Sequence, residues 1–344
     1  MRVAMYYANA DVRLERMDVP AIGPGEVLVR VGASGLCGSD VMEWYRLDKV
    51  PLVLGHEVAG EIAAVGEGVT EWAVGERVVA AHHVPCGDCF LCRGGHETAC
   101  DTLHRTSFDP GGFAEYVRMP RVNVERGGLH RVPDGVTDEE ASFAEPLACV
   151  LRAQERARVR PGCRVLVVGS GLSGLLHVAA ARALGAGWIF ATDVVPYRLE
   201  AARRFGADAA FPAHEDVPSR IREAAGDGRL ADAVIVTTGR ISAIHDALGC
   251  VERGGVALIF APTDPDAALP LDVNRYFWKT DRTITTSYAG SPADHRLALE
   301  LIRARRIPVA EMVTHRFGLA EAGAAFRLVA AAGDSLKVII EPQR

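Results

Sequence analysis

Residues 164–186 read RVLVVGSGLSGLLHVAAARALGA. An apolar, β-branched stretch runs into Gly169-x-Gly171-x-x-Gly174, and an Ala-rich segment follows. Gly169 permits a tight turn, Gly171 lets the backbone approach a pyrophosphate, and Gly174 allows a helix to pack closely on a strand. The helix N-terminus then attracts the anion. The stretch therefore predicts a strand, a phosphate-binding turn and a helix that together bind a dinucleotide.

The next apolar run, WIFATD, ends in Asp193, nineteen residues after Gly174. A carboxylate at this distance accepts hydrogen bonds from the adenosine ribose hydroxyls. Its charge repels a 2′-phosphate, which favours NAD over NADP, although Arg198 lies near enough in sequence to soften that preference. The residues expected to bind the cofactor are Gly169, Gly171, Leu172, Ser173, Gly174, Asp193, Arg198, Thr238 and Phe260.

Working outward from this stretch, the chain changes character near Ala141. Before that point, short β-branched runs such as GEVLVRV and GERVVAA alternate with Gly and Pro, which is typical of antiparallel strands. After it, the strands RVLVVG, WIFATD, AVIVTTG, VALIFAP and TITTSYAG alternate with helical segments, which predicts a doubly wound parallel sheet. The final run, SLKVIIEP, departs from this rhythm and is expected to return to the first domain.

Size and composition exclude several classes of protein. At 344 residues, with 49% apolar residues and 24% charged residues, the chain is long enough for two domains and typical of a globular protein. Its net charge of −6, with both signs interspersed, does not indicate nucleic-acid binding. The N-terminus has no apolar core of signal-peptide length, so we expect a cytoplasmic protein without membrane contact.

Four of the eight cysteines, Cys86, Cys89, Cys92 and Cys100, lie within fifteen residues. Their number and density suit closed tetrahedral zinc coordination, which leaves no open position for a substrate and so predicts a structural zinc. An alternative from another class is a zinc-binding scaffold or nucleic-acid-binding protein, because tetracysteine sites also build zinc ribbons. The loop disfavours this alternative, since it has no interleaved aromatic and basic residues.

A second set of metal-ligating residue types lies outside this loop. Cys37 is followed nineteen residues later by His56 and then by Glu57. A thiolate, an imidazole and a carboxylate can bind zinc and leave its fourth position for water or substrate, as a catalytic site requires. Glu145, in Phe143-Ala144-Glu145-Pro146-Leu147, is the remaining candidate ligand.

These motifs together resemble the zinc-dependent medium-chain dehydrogenase/reductase family, the alcohol dehydrogenase superfamily. The resemblance rests on Cys37-Gly38-Ser39-Asp40, Gly55-His56-Glu57-x2-Gly60-x5-Gly66, the four-cysteine loop, the glycine motif and the segment GGFAEY at 111–116, and covers nearly the whole chain. It implies a GroES-like, mostly-β catalytic domain of residues 1–150 and 288–344, and a Rossmann NAD-binding domain of residues 151–287. It also implies an active site between the domains, two zincs per chain, and a homodimer or homotetramer.

The resemblance carries residue roles as well. Cys37 and His56 are the firmest ligands of a catalytic zinc, and Glu145 is similar to the ligand of the sorbitol and polyol dehydrogenase branch. Glu57 then either binds zinc or exchanges with Glu145 and water. Ser39 is expected to relay a proton from the substrate, although many polyol and threonine dehydrogenases carry a histidine where this chain has Met42. A histidine also stands at the position of His83 in the threonine dehydrogenase branch, where it either lines the substrate site or is purely structural.

The predicted reaction is reversible, NAD-linked oxidation of a secondary alcohol of a polyol or sugar-like substrate to a ketone, by hydride transfer. Threonine, an aminocyclitol or an aromatic alcohol is the alternative small-molecule substrate. The zinc-free quinone reductase branch of the family is a rival, but it lacks the ligands present here. The cofactors expected are therefore zinc and NAD.

Overall fold

The computed structural model describes all 344 residues, Met1 to Arg344, in two compact units. The discontinuous unit comprises Met1–Ala148 and Ala289–Arg344, and the central unit comprises Cys149–Tyr288. No helix in the chain is both long and apolar enough to span a membrane.

The central unit is built on one parallel sheet. Its strands, in spatial order, are Ala209–Pro212, Trp188–Asp193, Arg164–Val168, Ala231–Val236, Val251–Ile259 and Thr283–Thr286. This is the doubly wound order in which the chain reverses beside the first strand. Arg164–Val168, the first of these strands along the chain, is buried at every position, as expected for a central parallel strand covered on both faces. The α-helices that lie wholly in this unit are Leu172–Ala183, Pro196–Arg204, Val217–Ala225, Ile241–Leu248 and Val273–Tyr276.

Five of these strands overlap the runs predicted from sequence, but Ala209–Pro212 was not predicted. Its sequence, AAFP, is too short to show a periodicity and ends in proline, which is depleted in strands. It pairs in parallel with Trp188–Asp193 and forms one edge of the sheet, where a proline is tolerated. Thr283–Thr286, which lies in the predicted run TITTSYAG, forms the opposite edge.

The discontinuous unit is built on two β-sheets. Its larger sheet orders the strands Val313–Gly318, Lys337–Glu341, Val27–Leu36, Glu57–Val65, Arg77–Ala81 and Leu129–Arg131, with Tyr116–Met119 also paired to Val27–Leu36. A smaller antiparallel sheet contains Asp11–Arg16, Arg2–Ala8 and Leu52–Val53. The C-terminal strand Lys337–Glu341 pairs antiparallel with Val27–Leu36, so the end of the chain does return to the sheet of the N-terminal region.

Short helices connect these strands. The α-helices are Glu43–Arg46, Phe90–Arg93, Asp101–Arg105, Arg121–Glu125, Asp138–Ser142, Pro292–Arg303 and Ala322–Ala330, and Ala144–Arg156 runs from this unit into the central one. The 3-10 helices are Gly38–Val41, Leu47–Lys49, Glu97–Ala99, Val309–Met312 and Leu319–Glu321. One hydrophobic core lies around Val29, Val58 and Val78 of the large sheet, and a second lies around Tyr6, Phe113 and Phe326.

Candidate active site and metal centres

One end of the large sheet gathers the candidate catalytic residues. Cys37 follows the strand Val27–Leu36, and His56 immediately precedes the strand Glu57–Val65. These two strands pair antiparallel. In the register of these strands Gly35 lies opposite Glu57, and Glu57 lies opposite Ala81. The sheet therefore brings residues distant in sequence together at the same end of its strands.

Cys37, His56 and Glu57 form a cluster in which one ligand atom of each side chain lies within 4.8 Å of the others. Glu57 is fully buried, and its Oε1 atom has no hydrogen-bond partner in the structure. A buried carboxylate that has one oxygen without a partner, close to a thiol and an imidazole, fits a site for a cation. The donor set of sulfur, nitrogen and oxygen is one that zinc accepts in proteins.

Asp40 contacts two members of this cluster. The carboxylate is fully buried, its Oδ2 accepts a hydrogen bond from the Cys37 N–H at 3.0 Å, and its Oδ1 lies 3.4 Å from Nδ1 of His56. Burial raises the pKa of Asp40, but the charges and hydrogen bonds of His56, with help from Arg46 and Cys37, lower it overall. Burial would lower the pKa of His56, but the charge and hydrogen bond of Asp40, with help from Cys37, hold it well above its usual value. A carboxylate behind the imidazole thus fixes its orientation and raises its basicity as a ligand.

A buried ion pair holds Glu57 on its other side. Oε2 of Glu57 contacts Nζ of Lys337, and both side chains are almost completely excluded from solvent. The pair lies over Gly35, where a Cβ atom would meet the ammonium nitrogen of Lys337 at 2.6 Å. Gly35 is therefore needed for close approach of the pair to the backbone.

Glu145, the remaining predicted ligand, lies outside this three-residue cluster. Its side chain is buried in the first turn of the helix Ala144–Arg156. The structure thus brings together Cys37, His56 and Glu57 but does not place Glu145 with them.

Ser39 lies in the 3-10 helix Gly38–Val41, directly after Cys37. The guanidinium of Arg46 donates from Nε to the carbonyl oxygen of Ser39 at 3.1 Å and from Nη2 to its Oγ at 3.4 Å. It also reaches Oδ1 of Asp40 at 3.5 Å. One cation therefore contacts the serine and the carboxylate that supports His56.

His83 is held by a short contact between its Nδ1 and the carbonyl oxygen of Thr106, at 2.9 Å. Burial lowers the pKa of His83 to about 4, so the ring is neutral at physiological pH. The His82 ring lies between the rings of His56 and His83, with centroid distances of 5.0 and 3.8 Å. Burial, with the neighbouring imidazoles, lowers the pKa of His82 well below its usual value. His82, which was not among the predicted site residues, thus packs between His56 and the predicted residue His83.

The four clustered cysteines form a second candidate metal centre, whose sulfur atoms all lie within 4.8 Å of one another. Sγ of Cys92 is 3.5 Å from that of Cys89 and 3.9 Å from that of Cys86. Tetrahedral zinc with Zn–S bonds of about 2.3 Å requires sulfur atoms about 3.8 Å apart, so these separations fit.

Backbone N–H groups point toward the same sulfur atoms. The N–H of Cys86 donates to Sγ of Cys100 at 3.4 Å, and the N–H of Cys89 donates to Sγ of Cys86 at 3.3 Å. Burial raises the pKa of Cys100, but backbone N–H groups bring it down to about 6, so this thiol is ionised at neutral pH. Such donors stabilise thiolates, which are the form that binds metal. The loop is therefore suited to a structural zinc.

The glycine motif in the central unit adopts the predicted form. The strand Arg164–Val168 leads into Gly169, which has a φ of +93°, and the helix Leu172–Ala183 begins three residues later. A Cβ atom at Gly174 would collide with the carbonyl oxygen of Gly169, whereas one at Gly171 would meet only a guanidinium nitrogen of Arg198, at 4.0 Å. Gly174 thus serves packing, and Gly171 leaves the backbone accessible to a ligand.

Asp193 ends its strand beside this turn. It accepts hydrogen bonds from the N–H groups of Ser170 at 2.7 Å and Val195 at 2.9 Å, one on each carboxylate oxygen. Each oxygen retains a further acceptor site. Asp193 is therefore aligned by the backbone and still able to receive a ribose hydroxyl.

The other predicted cofactor residues occupy the same unit. Leu172 and Ser173 form the first turn of the helix after the glycine turn. Thr238 and Phe260 follow the carboxyl ends of the strands Ala231–Val236 and Val251–Ile259, at the edge of the sheet where Gly169 ends the neighbouring strand. In open parallel sheets, ligands bind at this edge. Phe260 packs edge-on against His177 with ring centroids 4.8 Å apart.

Comparison with known proteins agrees with this geometry. Residues 23–133 match the family model "Alcohol dehydrogenase GroES-like domain", and residues 174–304 match "Zinc-binding dehydrogenase". Sorbitol dehydrogenase of Bacillus subtilis is 32% identical over 360 aligned positions, which cover 100% of this chain and 98% of the relative. L-threonine 3-dehydrogenase of Sinorhizobium medicae is 31% identical, covering 95% and 94% of the two chains. The alcohol dehydrogenase TADH from Thermus sp. ATN1 superposes with a TM-score of 0.86 at 30% identity, covering 99% of each chain.

The chain belongs to the zinc-dependent medium-chain dehydrogenase/reductase family. This confirms the family and the fold class expected from sequence, a GroES-like domain with a Rossmann domain. The prediction of an NAD-linked, zinc-using oxidoreductase acting on a small-molecule alcohol is likewise confirmed. The relatives include both the polyol type of dehydrogenase and the threonine type given as its alternative.

In this medium-chain dehydrogenase, sequence reasoning did not assign roles to Asp40, Arg46, His82 and Lys337. For Lys337 a signal was available, because a lysine inside the apolar run LKVII needs a buried partner of opposite charge. Asp40 also carried one, since an acid three residues after Cys37 can accept a backbone N–H at the start of a helix. The contacts of Arg46 and His82 depend on how the chain folds back and have no signal in the sequence.

Proposed function

We propose that this dehydrogenase oxidises a secondary alcohol of a polyol or sugar-like substrate to a ketone, with reversible hydride transfer to NAD. The cluster of Cys37, His56 and Glu57 at one end of the large sheet is the observation that carries the proposal. The similarity to sorbitol dehydrogenase across the whole chain supports the substrate class. The orientation of Asp193, whose charge disfavours a 2′-phosphate, supports NAD over NADP.

Cys37 and His56 are the proposed ligands of a catalytic zinc, with Glu57 and Glu145 as alternative carboxylate ligands. When bound, zinc would supply a Lewis acid that lowers the pKa of the substrate hydroxyl. NAD would supply the hydride acceptor. Glu57 already has a charged partner in Lys337, which supports a role for Glu57 that alternates between this pair and the metal.

The chain's own groups then orient the substrate and move its proton. Asp40 holds His56 in place, which supports a rigid metal site. Ser39 Oγ is the proposed acceptor of the substrate hydroxyl proton, which passes from there toward solvent. A neutral His83 is proposed to line the substrate site, where an uncharged ring can donate or accept a hydrogen bond.

The remaining assignments complete the proposal. Cys86, Cys89, Cys92 and Cys100 hold a structural zinc, for a total of two zincs per chain. Residues 1–150 and 288–344 act as the catalytic domain, and residues 151–287 bind NAD. We also propose a cytoplasmic location, because Cys86, Cys89, Cys92 and Cys100 gather in a loop that suits a metal rather than disulfide bonds. We further propose a homodimer or homotetramer that joins through the edge strand Thr283–Thr286, and no nucleic-acid partner.

The test combines zinc analysis with an NAD-linked screen of polyols, threonine, aminocyclitols and aromatic alcohols. We expect two zincs per chain and NADH formation with polyols. The His56→Ala variant should retain one zinc and lose activity, while His214→Ala, which alters an exposed histidine, should match the wild type. Turnover with threonine alone would favour the threonine-type alternative. One zinc in the wild type, with no NADH binding, would contradict the proposed enzyme.

A further inference from the structure

Arg46 occupies a position that the proposed mechanism leaves unassigned. It ends the short helix Glu43–Arg46, and its side chain is only 13% exposed to solvent. Its guanidinium lies 4.5 Å from the ring centroid of Tyr45 and donates to both the carbonyl oxygen and Oγ of Ser39. A planar donor group fixed by an aromatic ring and a backbone carbonyl cannot swing freely into solvent.

The contact at Ser39 Oγ determines how that hydroxyl can be used. A serine hydroxyl has one proton to donate and two lone pairs that accept. Because Nη2 of Arg46 donates to Oγ, one lone pair is occupied and the hydroxyl proton must point elsewhere. The second lone pair remains for a substrate hydroxyl. The guanidinium therefore orients Ser39 to accept from one side and donate to another.

The same nitrogen of Arg46 reaches Oδ1 of Asp40, which is the oxygen that faces His56. Asp40 is fully buried, so a nearby cation offsets the cost of placing its charge in the interior. One guanidinium thus links the serine to the acid behind the imidazole. Met42, where many polyol and threonine dehydrogenases carry a histidine, has no proton to contribute.

We propose that Arg46 is a positioning residue of the dehydrogenase reaction, which holds the Ser39 hydroxyl in the orientation that accepts the substrate proton. An arginine stays protonated throughout the physiological pH range, so it does not carry the proton itself. Its action passes through Ser39. The inference rests on the proposed function, because it assumes that Ser39 acts on an alcohol substrate.

The experiment is a double-mutant cycle between Arg46→Gln and Ser39→Ala, measured with whichever alcohol the wild type oxidises. We expect Arg46→Gln to lower kcat about 10- to 100-fold with a smaller effect on KM, and to retain two zincs per chain. In the Ser39→Ala background the same change should have little further effect, because the hydroxyl that Arg46 orients is gone. Arg46→Lys should recover part of the lost kcat, since it keeps a donor but not the planar fork.

Lys49→Gln is the matched control. Lys49 lies 4.2 Å from the same Tyr45 ring, so the variant removes a neighbouring cation while leaving the Ser39 contacts in place. Its kcat and KM should equal those of the wild type. Unchanged kcat in Arg46→Gln would overturn the inference, as would an effect fully additive with Ser39→Ala.

Loss of zinc from both Arg46 variants, with activity restored by added zinc, would assign Arg46 to metal retention and also overturn the inference. If Arg46→Gln does not fold, the cycle is run with Arg46→Lys and read by the same additivity criterion. Failure of the proposed function is separate, because it appears in the wild type as absence of alcohol turnover. An active wild type that loses activity on Ser39→Ala but not on Arg46→Gln contradicts only the role of Arg46.

Discussion

Glu57 and Lys337 carry opposite charges in the apolar interior of the discontinuous unit, 280 residues apart in sequence. Removing charges from water costs several kcal/mol per ion, and the attraction within the pair offsets that cost only while both partners are present. The pair therefore adds little net stability as a unit but makes each partner sensitive to loss of the other. It also places a buried carboxylate next to Cys37 and His56, where a cation is expected.

Replacing Lys337 by Met should lower the free energy of unfolding by about 3–5 kcal/mol, because the Glu57 carboxylate is left buried without its partner. The double variant Glu57→Gln/Lys337→Met should recover most of this loss, since no unpaired charge remains. Urea-induced unfolding at pH 7 measures both effects.

Glu61→Gln is the control on the same strand. Glu61 pairs with Arg30 at 3.6 Å with both side chains more than 40% exposed, so its loss should cost less than about 1 kcal/mol. If Lys337→Met is no more destabilising than Glu61→Gln, the buried pair does not have the energetic role assigned to it.

At the scale of the element, the glycine turn offers two neighbouring positions with different tolerance for a methyl group. A Cβ at Gly174 meets the carbonyl oxygen of Gly169, but a Cβ at Gly171 meets only a guanidinium nitrogen of Arg198, at 4.0 Å. Stability and cofactor binding can therefore be separated within one loop.

Gly171→Ala should change the free energy of unfolding by about 1 kcal/mol or less and weaken NADH binding at least about 10-fold, because the new methyl group stands where the pyrophosphate approaches. Gly174→Ala should destabilise the protein by about 1–3 kcal/mol, since the helix must move away from the strand. Fluorescence titration with NADH and urea unfolding measure the two quantities. Wild-type affinity in Gly171→Ala would show that the cofactor does not contact this turn.

The cysteine loop is the second element whose stability we expect to depend on a ligand. Cys92→Ser should lower the zinc content by one equivalent and speed amide hydrogen exchange across 86–105, because this short segment has only a small apolar core around Leu103. Cys163→Ser changes a buried thiol outside both clusters and should leave the zinc content unchanged. An unaltered zinc content in Cys92→Ser would exclude a metal in the loop.

At the scale of the whole molecule, buried histidines determine part of the response to acid. His130 and His295 stack in parallel with ring centroids 5.3 Å apart. Burial, with the charges of His295 and Arg296, lowers the pKa of His130 to about 3. The pKa of His295 is also lowered overall, because the effect of burial exceeds the opposite effects of Ser291 and Asp294. Burial alone lowers the pKa of His177 in the central unit to about 3.

These depressed values have a definite sign. Below pH 6.5 the unfolded chain takes up protons on these imidazoles while the folded chain does not, so acid stabilises the unfolded state. The free energy of unfolding should therefore fall as the pH is lowered from about 6.5 toward 3. A histidine shifted from about 6.5 to about 3 accounts for about 2 kcal/mol of that loss at pH 5.

His130→Phe should reduce the loss of stability between pH 7 and pH 5 by about 2 kcal/mol, because it removes one proton-binding group from the unfolded state. Denaturant unfolding at the two pH values gives this difference, and His214→Gln, at an exposed position, should reproduce the wild-type loss. The comparison between variant and wild type cancels the contribution of the zinc sites, which the two share. Equal pH dependence in His130→Phe would contradict the assignment.

Much of the architecture could be predicted from local sequence patterns. The run from Arg164 to Ala186 combines a strand period, glycines at fixed offsets and a helix, and each of these features acts within a few residues. The spacing of Cys86 to Cys100 likewise predicts a metal loop, because all four cysteines lie on one short segment. The strand Ala209–Pro212 escaped prediction because four residues carry too little pattern.

Local patterns along the chain were thus enough to predict the two-domain class, the dinucleotide turn, the cysteine loop and the candidate ligands Cys37 and His56. The tertiary structure was needed to show that Lys337 pairs with Glu57 and that Asp40 supports His56. It was also needed to show that Arg46 contacts Ser39 and that Glu145 stays outside the three-residue cluster. The physical reason is strand register. The antiparallel pairing of Gly35 with Glu57, and of Leu36 with Val338, brings charges that are distant in sequence together at one end of the strands. No local pattern encodes which strands will pair.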